Sequence, residues 1–423
     1  MSTHITTFAD GLHLRARATA VQGALRRSLL ASLSHLQGGA VRLIEGDNPP
    51  RIVGTPVAGR PPITVEVHAP LFYEYACLGG SVGLGEAYVL GLWTTDDLVG
   101  VSRLFLRNLE RLDALDNGLA RLRKPVLKFF QWRHRNSRDN SRVNIAAHYD
   151  LGNAFFKEFL DHDMNYSSAM YRPGAETLEA AQERKLDTIC RKLDLQPGEH
   201  LVEIGTGWGA MAIHAARHYG VKVTTTTISR EQYDLACAKV QAAGLQDQIT
   251  ILLKDYRELD GQYDKAVSVE MIEAVGDAFY STYLGSIMRL LKPEGQVLIQ
   301  AITCSDQRYA EYSRSSDFIR RYIFPGGHLP SITRLLEVAT RHTDLRLFHL
   351  EDFSLDYART LADWRERFWD RATMVREQGY SEAFMRMWDY YLGTCEAAFA
   401  EHVTGVVHLL LTRPGCRRDA VTI

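Results

Sequence analysis

Apolar and polar positions follow two regimes along the 423 residues. From His200 onward, short aliphatic and β-branched runs are separated by stretches whose apolar residues recur every three or four positions. His200 to Ile204, Val221 to Ser229, Ile249 to Tyr256 and Tyr263 to Met271 read as strands, with a helix over Arg230 to Gly244. Lys292-Pro293-Glu294-Gly295 signals a turn ahead of a fifth strand, Gln296 to Thr303, and Asp344 to Phe353 and Val406 to Leu411 bring the count to seven. A helix over Glu176 to Leu193 precedes the strands, and long amphipathic helices cover Asp356 to Glu377 and Ser381 to Glu401. The alternation predicts an α/β fold: a doubly wound, largely parallel sheet with its ligand at the carboxyl ends of the strands.

The first third has a different texture. Residues 11 to 37 have helical periodicity, and Val41 to Ile44, Arg51 to Val53 and Ile63 to His68 are short strand-like runs between Gly and Pro clusters. A glycine-rich run, Gly79 to Tyr88, leads to Leu92 to Leu98, where Thr95 or Asp96 suits a helix N-cap. The pattern predicts a small α+β domain over residues 1–118, a linker over 119–143 and a larger domain over 144–423. The linker carries Arg121, Arg123, Lys124, Lys128, Arg133, Arg135, Arg138 and Arg142 against Asp139 alone, around Phe129, Phe130 and Trp132. Such a stretch suits an anionic membrane surface, each charge contributing about 1 kcal/mol. It equally suits a solvated interdomain linker.

Composition narrows the class. With 46% hydrophobic and 24% charged residues the chain is an ordinary globular protein, and 49 basic against 51 acidic side chains argue against a nucleic-acid partner. The six cysteines are scattered without a C-x-x-C pair, which favours free thiols over disulfides or a metal site. No uninterrupted apolar core marks a signal peptide or membrane span, so a cytoplasmic location is expected.

The chemistry concentrates at His200 to His214, where a strand runs through Gly205-Thr206-Gly207-Trp208-Gly209 into a helix. Glycines let the backbone turn sharply and a ligand approach closely. A dinucleotide site wants G-x-G-x-x-G and an acid about 20 residues on. Here the third glycine comes one position early and the second strand ends in Thr225-Thr226-Thr227-Ile228-Ser229, so the pyrophosphate cradle is incomplete. Glu203 inside the first strand, with a short glycine turn, better suits S-adenosylmethionine.

Several spaced motifs then occur in one order: HYDLGN from His148, NYSSAMY from Asn165, VEIGTGWG, TISREQ from Thr227, SVEMIEAVG from Ser268 and RYIFPGGHLPS from Arg321. Together they resemble the cyclopropane-fatty-acyl-phospholipid synthases and mycolic-acid methyltransferases over most of residues 144 to 413. GLGEAYVLGLW, from Gly83, looks like the lipid-binding N-terminal domain of the phospholipid-acting members. The resemblance implies a seven-stranded, Rossmann-like S-adenosylmethionine methyltransferase sheet, with methyl transfer to the double bond of unsaturated phospholipid acyl chains. It implies a bicarbonate ion that takes up the released proton, with Glu273 accepting a hydrogen bond from it, Tyr357 donating one and the backbone of Ile302 closing the ring. It places the cofactor on Tyr166, Ser167, Glu203, Gly205, Thr206, Gly207, Gly209, Thr227, Gln232, Tyr256 and Arg257. Cys395 matches a cysteine proposed as catalytic in the family, although methyl transfer to an alkene needs no covalent enzyme intermediate.

Two positions depart from the family pattern: Ser168 stands for its usual cysteine and Gln300 for a histidine. An amide can hold an anion but cannot carry a proton. Relatives with glutamine in this context form methyl or methylene branches, so ring and branch both stay open as products. The expected enzyme is peripheral to the inner face of a membrane, and a homodimer is compatible with the sequence. A methyltransferase of a soluble small molecule, or a lipid-binding protein with a lapsed site, are the competing readings.

Overall fold

The computed structural model describes residues 18–109, 151–174 and 176–421. The basic segment 119–143 and the first half of the HYDLGN run lie outside these residues. The chain divides into two compact units, Met1–Ala146 with Glu382–Tyr390, and Ala147–Ser381 with Tyr391–Ile423.

In the first unit, α1 (Ala20–Leu33) opens on a Thr19–Gln22 capping box. The strands β1 (Gly39–Glu45), β2 (Arg51–Thr55), β3 (Ile63–Val67) and β4 (Trp93–Thr95) form a sheet in the order β2-β1-β3-β4. The glycine-rich run is helical, as α3 (Gly80–Val89), which follows α2 (Phe72–Leu78). Its small residues have a steric cause: a Cβ on Gly83 would stand 2.2 Å from the Tyr75 carbonyl oxygen. The N-cap of α4 (Leu98–Arg107) is Asp97, not Thr95 or Asp96. Asp97 accepts the Gly100 N–H at 2.7 Å, while Asp96 is taken up by the Thr64 N–H at 2.8 Å.

The second unit begins with α5 (Asn153–Phe156) and α6 (Leu178–Lys192), then alternates β5 (His200–Ile204), α7 (Ala210–Tyr219), β6 (Lys222–Thr227), α8 (Arg230–Ala242), β7 (Ile249–Leu253), β8 (Tyr263–Val269), α9 (Tyr280–Leu290) and β9 (Leu291–Cys304). Beyond it lie α10 (Asp306–Tyr312), α11 (Phe318–Tyr322), α12 (Ile332–His342), β10 (Arg346–Asp352), α13 (Ser354–Asp370), α14 (Ala372–Glu377), α15 (Glu382–Ala400), whose residues Glu382–Tyr390 are counted with the first unit, and β11 (Thr404–Thr412). The sheet order is β10-β11-β9-β8-β5-β6-β7, and β11 alone runs against the others. The seven-stranded α/β fold expected from the periodicity is therefore present.

Period-two alternation sorts the two faces. Val202, Ile204, Val297, Ile299 and Ala301 pack against α9 and α12, and Leu201, Val223, Val267, Leu298 and Leu410 against α6, α7 and α8. The same alternation aims Glu203, Gln300 and His408 toward the second face. Three boundaries differ from the sequence reading. Lys292 to Gly295 is a bulge inside β9, since Tyr263 pairs with Leu291 but Lys265 with Gln296. The carboxyl-terminal segment occupies its carbonyls, with Arg413 N–H donating to Gly295 O and Gly415 N–H to Pro293 O. The helix expected over Asp356 to Glu377 breaks at Arg371 (φ −100°, ψ 12°), and Tyr256 lies past β7 in a 3-10 turn.

Candidate active site

Strand β5 lies between β8 and β6, with the chain crossing to opposite faces on either side of it, so the crevice of this sheet opens at its carboxyl end. Gly205, Gly207 and Gly209 there adopt φ of 97°, 52° and 90°, a region disfavoured for side-chain-bearing residues. The turn is tied down by Gly205 and Thr206 N–H donating to Thr226 O and by a Thr206–Thr225 hydroxyl contact of 2.8 Å. A Cβ on Gly209 would sit 3.4 Å from Ala236, whereas one on Gly207 would meet nothing within 4 Å. The Gly207 position therefore faces open space at the mouth of the crevice.

Glu203 is 2% exposed, and its Oε2 has no hydrogen-bond partner. Burial pushes its carboxyl up to about 8, against the opposing influence of the Thr225 hydroxyl and the Lys185 charge. An unpartnered carboxylate oxygen beside an open glycine turn fits a ligand ammonium, which the methionyl part of S-adenosylmethionine has. Lys185, itself buried and lowered to about 8 by desolvation, reaches Ser167 Oγ at 3.0 Å. Thr227 donates its hydroxyl to Gln232 Oε1 at 2.8 Å, and Ser229 caps α8 over Gln232 N–H. Tyr256 stands edge-on to Tyr283 at 5.5 Å, and the exposed Arg257 is paired with Asp255 through two nitrogens.

Aromatic rings line the adjoining region. Tyr166 contacts Phe156 at 5.2 Å and Trp364 at 5.3 Å, shares a 2.9 Å hydroxyl contact with Tyr391, and lies 6.4 Å from Phe324. Trp208 of the glycine turn lies tilted against Phe156 at 5.3 Å and donates its indole N–H to Asn153.

The acid–base residues converge differently from the sequence expectation. Tyr357 turns to Glu270. Its hydroxyl donates to Oε2 of Glu270 at 2.7 Å, and the other oxygen of Glu270 accepts from Gln300 Nε2 and from the backbone N–H of Ser168, each at 2.8 Å. The Ser168 hydroxyl is turned away to Ala169 O. Glu273 instead accepts the Ile302 N–H at 2.5 Å on Oε1 and leaves a buried Oε2 without a partner. Burial, then the neighbouring Glu270 charge, push Glu273 up to about 8. The bicarbonate expected on Glu273, Tyr357 and the Ile302 backbone, with Ser168 and Gln300 beside it, finds its donors engaged in this arrangement: Tyr357, Gln300 and the Ser168 N–H by Glu270, and the Ile302 N–H by Glu273. Cys395 is partly buried, and desolvation pushes its thiol up to about 12, so it stays protonated.

Sequence reasoning singled out Glu273 and passed over Glu270, three residues earlier in the same motif. The available signal was position: Val269 ends β8, so Glu270 is the first residue beyond the carboxyl end of a central parallel strand. Also missed were His408 and Lys192. They are far apart in sequence, yet His408 pairs in register with Gln300 on the neighbouring strand, and the two side chains meet at 2.9 Å.

The family model described as mycolic acid cyclopropane synthetase matches residues 136–409. Tuberculostearic acid methyltransferase UfaA1 of Mycobacterium tuberculosis is 40% identical over 345 residues, covering 79% of this chain and 80% of the relative. The cyclopropane-fatty-acyl-phospholipid synthase of Escherichia coli is 38% identical over 353 residues, covering 82% and 87%. Among solved structures, the cyclopropane synthase MmaA2 from Mycobacterium tuberculosis superposes with a TM-score of 0.59 at 28% identity, covering 64% of this chain and 98% of that one. The mycolic acid cyclopropane synthase CmaA1, solved with S-adenosylhomocysteine, gives 0.58 at 29% identity and the same coverage. With the glycine turn at the sheet's crevice and matches of this extent, the chain belongs to the mycolic acid cyclopropane synthetase family and is an S-adenosylmethionine-dependent methyltransferase.

Proposed function

We propose that this enzyme methylates a double bond in the unsaturated acyl chains of phospholipids, giving a cyclopropane ring or a methylene branch. The observation that carries the reading is the pairing of an aromatic wall, Phe156, Tyr166, Phe324, Trp364 and Tyr391, with a cleft carboxylate, Glu270, held by three donors. An alkene is a weak nucleophile that yields a carbocation, so the site must align it, exclude water and stabilise positive charge. Aromatic faces suit a cation without attacking it. A soluble, polar acceptor would call for polar positioning groups where these rings stand.

The bound cofactor supplies an electrophilic methyl group on its sulfonium. Glu203 would take the cofactor's ammonium, Gly205 to Gly209 would give it room, and Thr227 and Gln232 would address its ribose. Tyr166, Ser167, Tyr256 and Arg257 would complete its binding site. The resemblance to relatives that act on phospholipid acyl chains supports membrane lipid as the source of substrate, with the first unit and the basic segment 119–143 as the parts that meet the lipid surface. None of the described helices is long and apolar enough to cross a membrane. A surface-bound enzyme would sediment with anionic vesicles, release with salt over a Debye length of about 10 Å at 0.1 M, and ignore neutral vesicles.

The test is incubation with methyl-labelled S-adenosylmethionine and vesicles of defined monounsaturated phospholipids, followed by mass spectrometry of the released acyl chains. The expected result is one labelled carbon per double bond. Label that never enters acyl chains, while entering an added water-soluble acceptor, would overturn the reading.

A further inference from the structure

We propose that the carboxylate of Glu270 is the base that takes the proton after methyl transfer, a base built into the chain where a bound anion would otherwise be required. The proposal rests on the alkene-methylating reading above and names the residue that completes it.

Four observations place Glu270 in that role. It follows the last residue of β8 at the crevice, and its neighbour Met271 lies 3.3 Å from where a Gly205 Cβ would stand, so it adjoins the glycine turn. Its backbone has φ of 48°, a left-handed conformation in a residue that carries a side chain. Such strain persists only where surrounding contacts enforce it, and it clusters at working sites. The backbone is held there by its N–H donating to Gln300 O at 2.8 Å. The side chain then receives Ser168 N–H, Gln300 Nε2 and the Tyr357 hydroxyl, donors drawn from three other parts of the chain.

The orientation of Gln300 is itself enforced. Lys192 Nζ lies 2.8 Å from His408 Nδ1 and is paired with Glu351. An ammonium can only donate, so His408 accepts at Nδ1 and carries its proton on Nε2. That N–H faces Gln300 Oε1 at 2.9 Å, which leaves the amide N–H groups for Glu270. A ladder of buried side chains thus presents a donor, never an acceptor, to the carboxylate.

Burial raises the Glu270 carboxyl above its ordinary value, which strengthens it as a base, the three donors oppose that rise by favouring the ionised form, and its charge helps keep Glu273 protonated. When the methyl carbon has bonded to one alkene carbon, the other is cationic and the hydrogens of the new methyl group become acidic. A Glu270 oxygen forms an O–H bond with one of those methyl hydrogens. The C–H electron pair closes a C–C bond to the cationic carbon, giving a ring, or, when a 1,2-hydride shift has first moved the cation to the methyl-bearing carbon, becomes the C=C bond of a methylene branch. The proton leaves Glu270 for solvent as product departs.

The test uses the full chain as wild type, Glu270→Gln and Glu270→Gly. Wild-type turnover on phospholipid vesicles is expected to be unchanged in buffer freed of dissolved bicarbonate. Glu270→Gln should lose about 10²-fold or more in turnover while binding S-adenosylmethionine with wild-type affinity by calorimetry, which also certifies its fold. Glu270→Gly relieves the backbone strain and leaves the donors intact, so its turnover should be equally low without bicarbonate and recover about tenfold or more when bicarbonate or formate is added. A parallel titration with carbon-13 bicarbonate, read by NMR, needs no lipid and should show binding to Glu270→Gly but not to wild type. Should wild type methylate no lipid, the functional reading fails, and this titration still decides whether Glu270 occupies the anion position. Loss of wild-type activity on bicarbonate removal, full turnover by Glu270→Gln, or equal bicarbonate binding by wild type and Glu270→Gly would each overturn the proposal.

Discussion

Replacing Glu203 by glutamine should stabilise the cofactor-free protein and weaken cofactor binding at once. In the folded chain this carboxyl is raised from 4.5 to about 8, chiefly by burial, and one of its oxygens has no partner. Because the folded value exceeds the unfolded one, the native state holds the extra proton between these two values. The group's contribution is fully present below about 4.5 and is lost as pH rises toward 8, at about 1.4 kcal/mol per pH unit. The accumulated penalty is about 3 kcal/mol at pH 7 and about 4 kcal/mol at pH 8. Glutamine removes that penalty but leaves an amide N–H group without a partner, which costs about 1–3 kcal/mol. The net gain for the free protein at pH 8 is about 2 kcal/mol, measurable in urea melts run from pH 5 to pH 9. In those melts the wild-type slope with pH should exceed the variant's by about one proton in this window. Cofactor binding should weaken by about 2 kcal/mol, or about 30-fold, through loss of a charge-assisted hydrogen bond. Wild-type binding at pH 7 should also release about 0.9 proton, seen as a buffer-dependent enthalpy in calorimetry. Unchanged affinity in Glu203→Gln together with no proton release would refute the assignment of this carboxylate to the ammonium.

Gly207→Val should leave a folded protein, since a Cβ there meets nothing within 4 Å, yet abolish S-adenosylmethionine binding by calorimetry, because the side chain would enter the crevice in a left-handed conformation costing about 1–2 kcal/mol. An affinity equal to wild type would remove the glycine turn from the cofactor site. Glu273 sits near 8 and is protonated at pH 7, so Glu273→Gln should stay within about threefold of wild-type turnover, whereas Glu273→Ala, which frees the Ile302 N–H, should lose about 10²-fold. Equal losses in Glu273→Gln and Glu270→Gln would deny the division of labour between the two carboxyls. Cys395→Ala should retain most of the wild-type turnover in the labelled-methyl assay, because a thiol raised to about 12 supplies no thiolate at neutral pH. A loss of 10²-fold or more, on the order expected of a catalytic group, would restore it as a candidate.

Local rules made most of the sheet legible. The strand runs beginning at His200, Val221, Ile249 and Tyr263 are short stretches rich in aliphatic and β-branched residues bounded by turns, the composition that strands of a largely buried parallel sheet favour. The glycine turn was equally visible, because positive φ at Gly205, Gly207 and Gly209 is a requirement that sequence records directly. Boundaries were harder where distant segments intervene. The Lys292 to Gly295 turn signal became a bulge only because Arg413 and Gly415 satisfy its carbonyls. The N-cap moved to Asp97 only because Thr64, on a neighbouring strand, claims Asp96.

The site divides along the same line. Residue types and motif order determined that a carboxylate, a tyrosine and a glutamine would share a methyltransferase crevice. Only the tertiary structure decided which carboxylate they serve. Glu270 and Glu273 are the same residue type in one motif, and the sequence sets them apart only by the place of Glu270 directly after a strand. What distinguishes them is backbone at position 270 turned to positive φ, with Ser168, Gln300 and Tyr357 arriving from segments 102, 30 and 87 residues away. Hydrogen-bond donors act over a few ångströms, and chain separation carries no information about which of them fall within that reach.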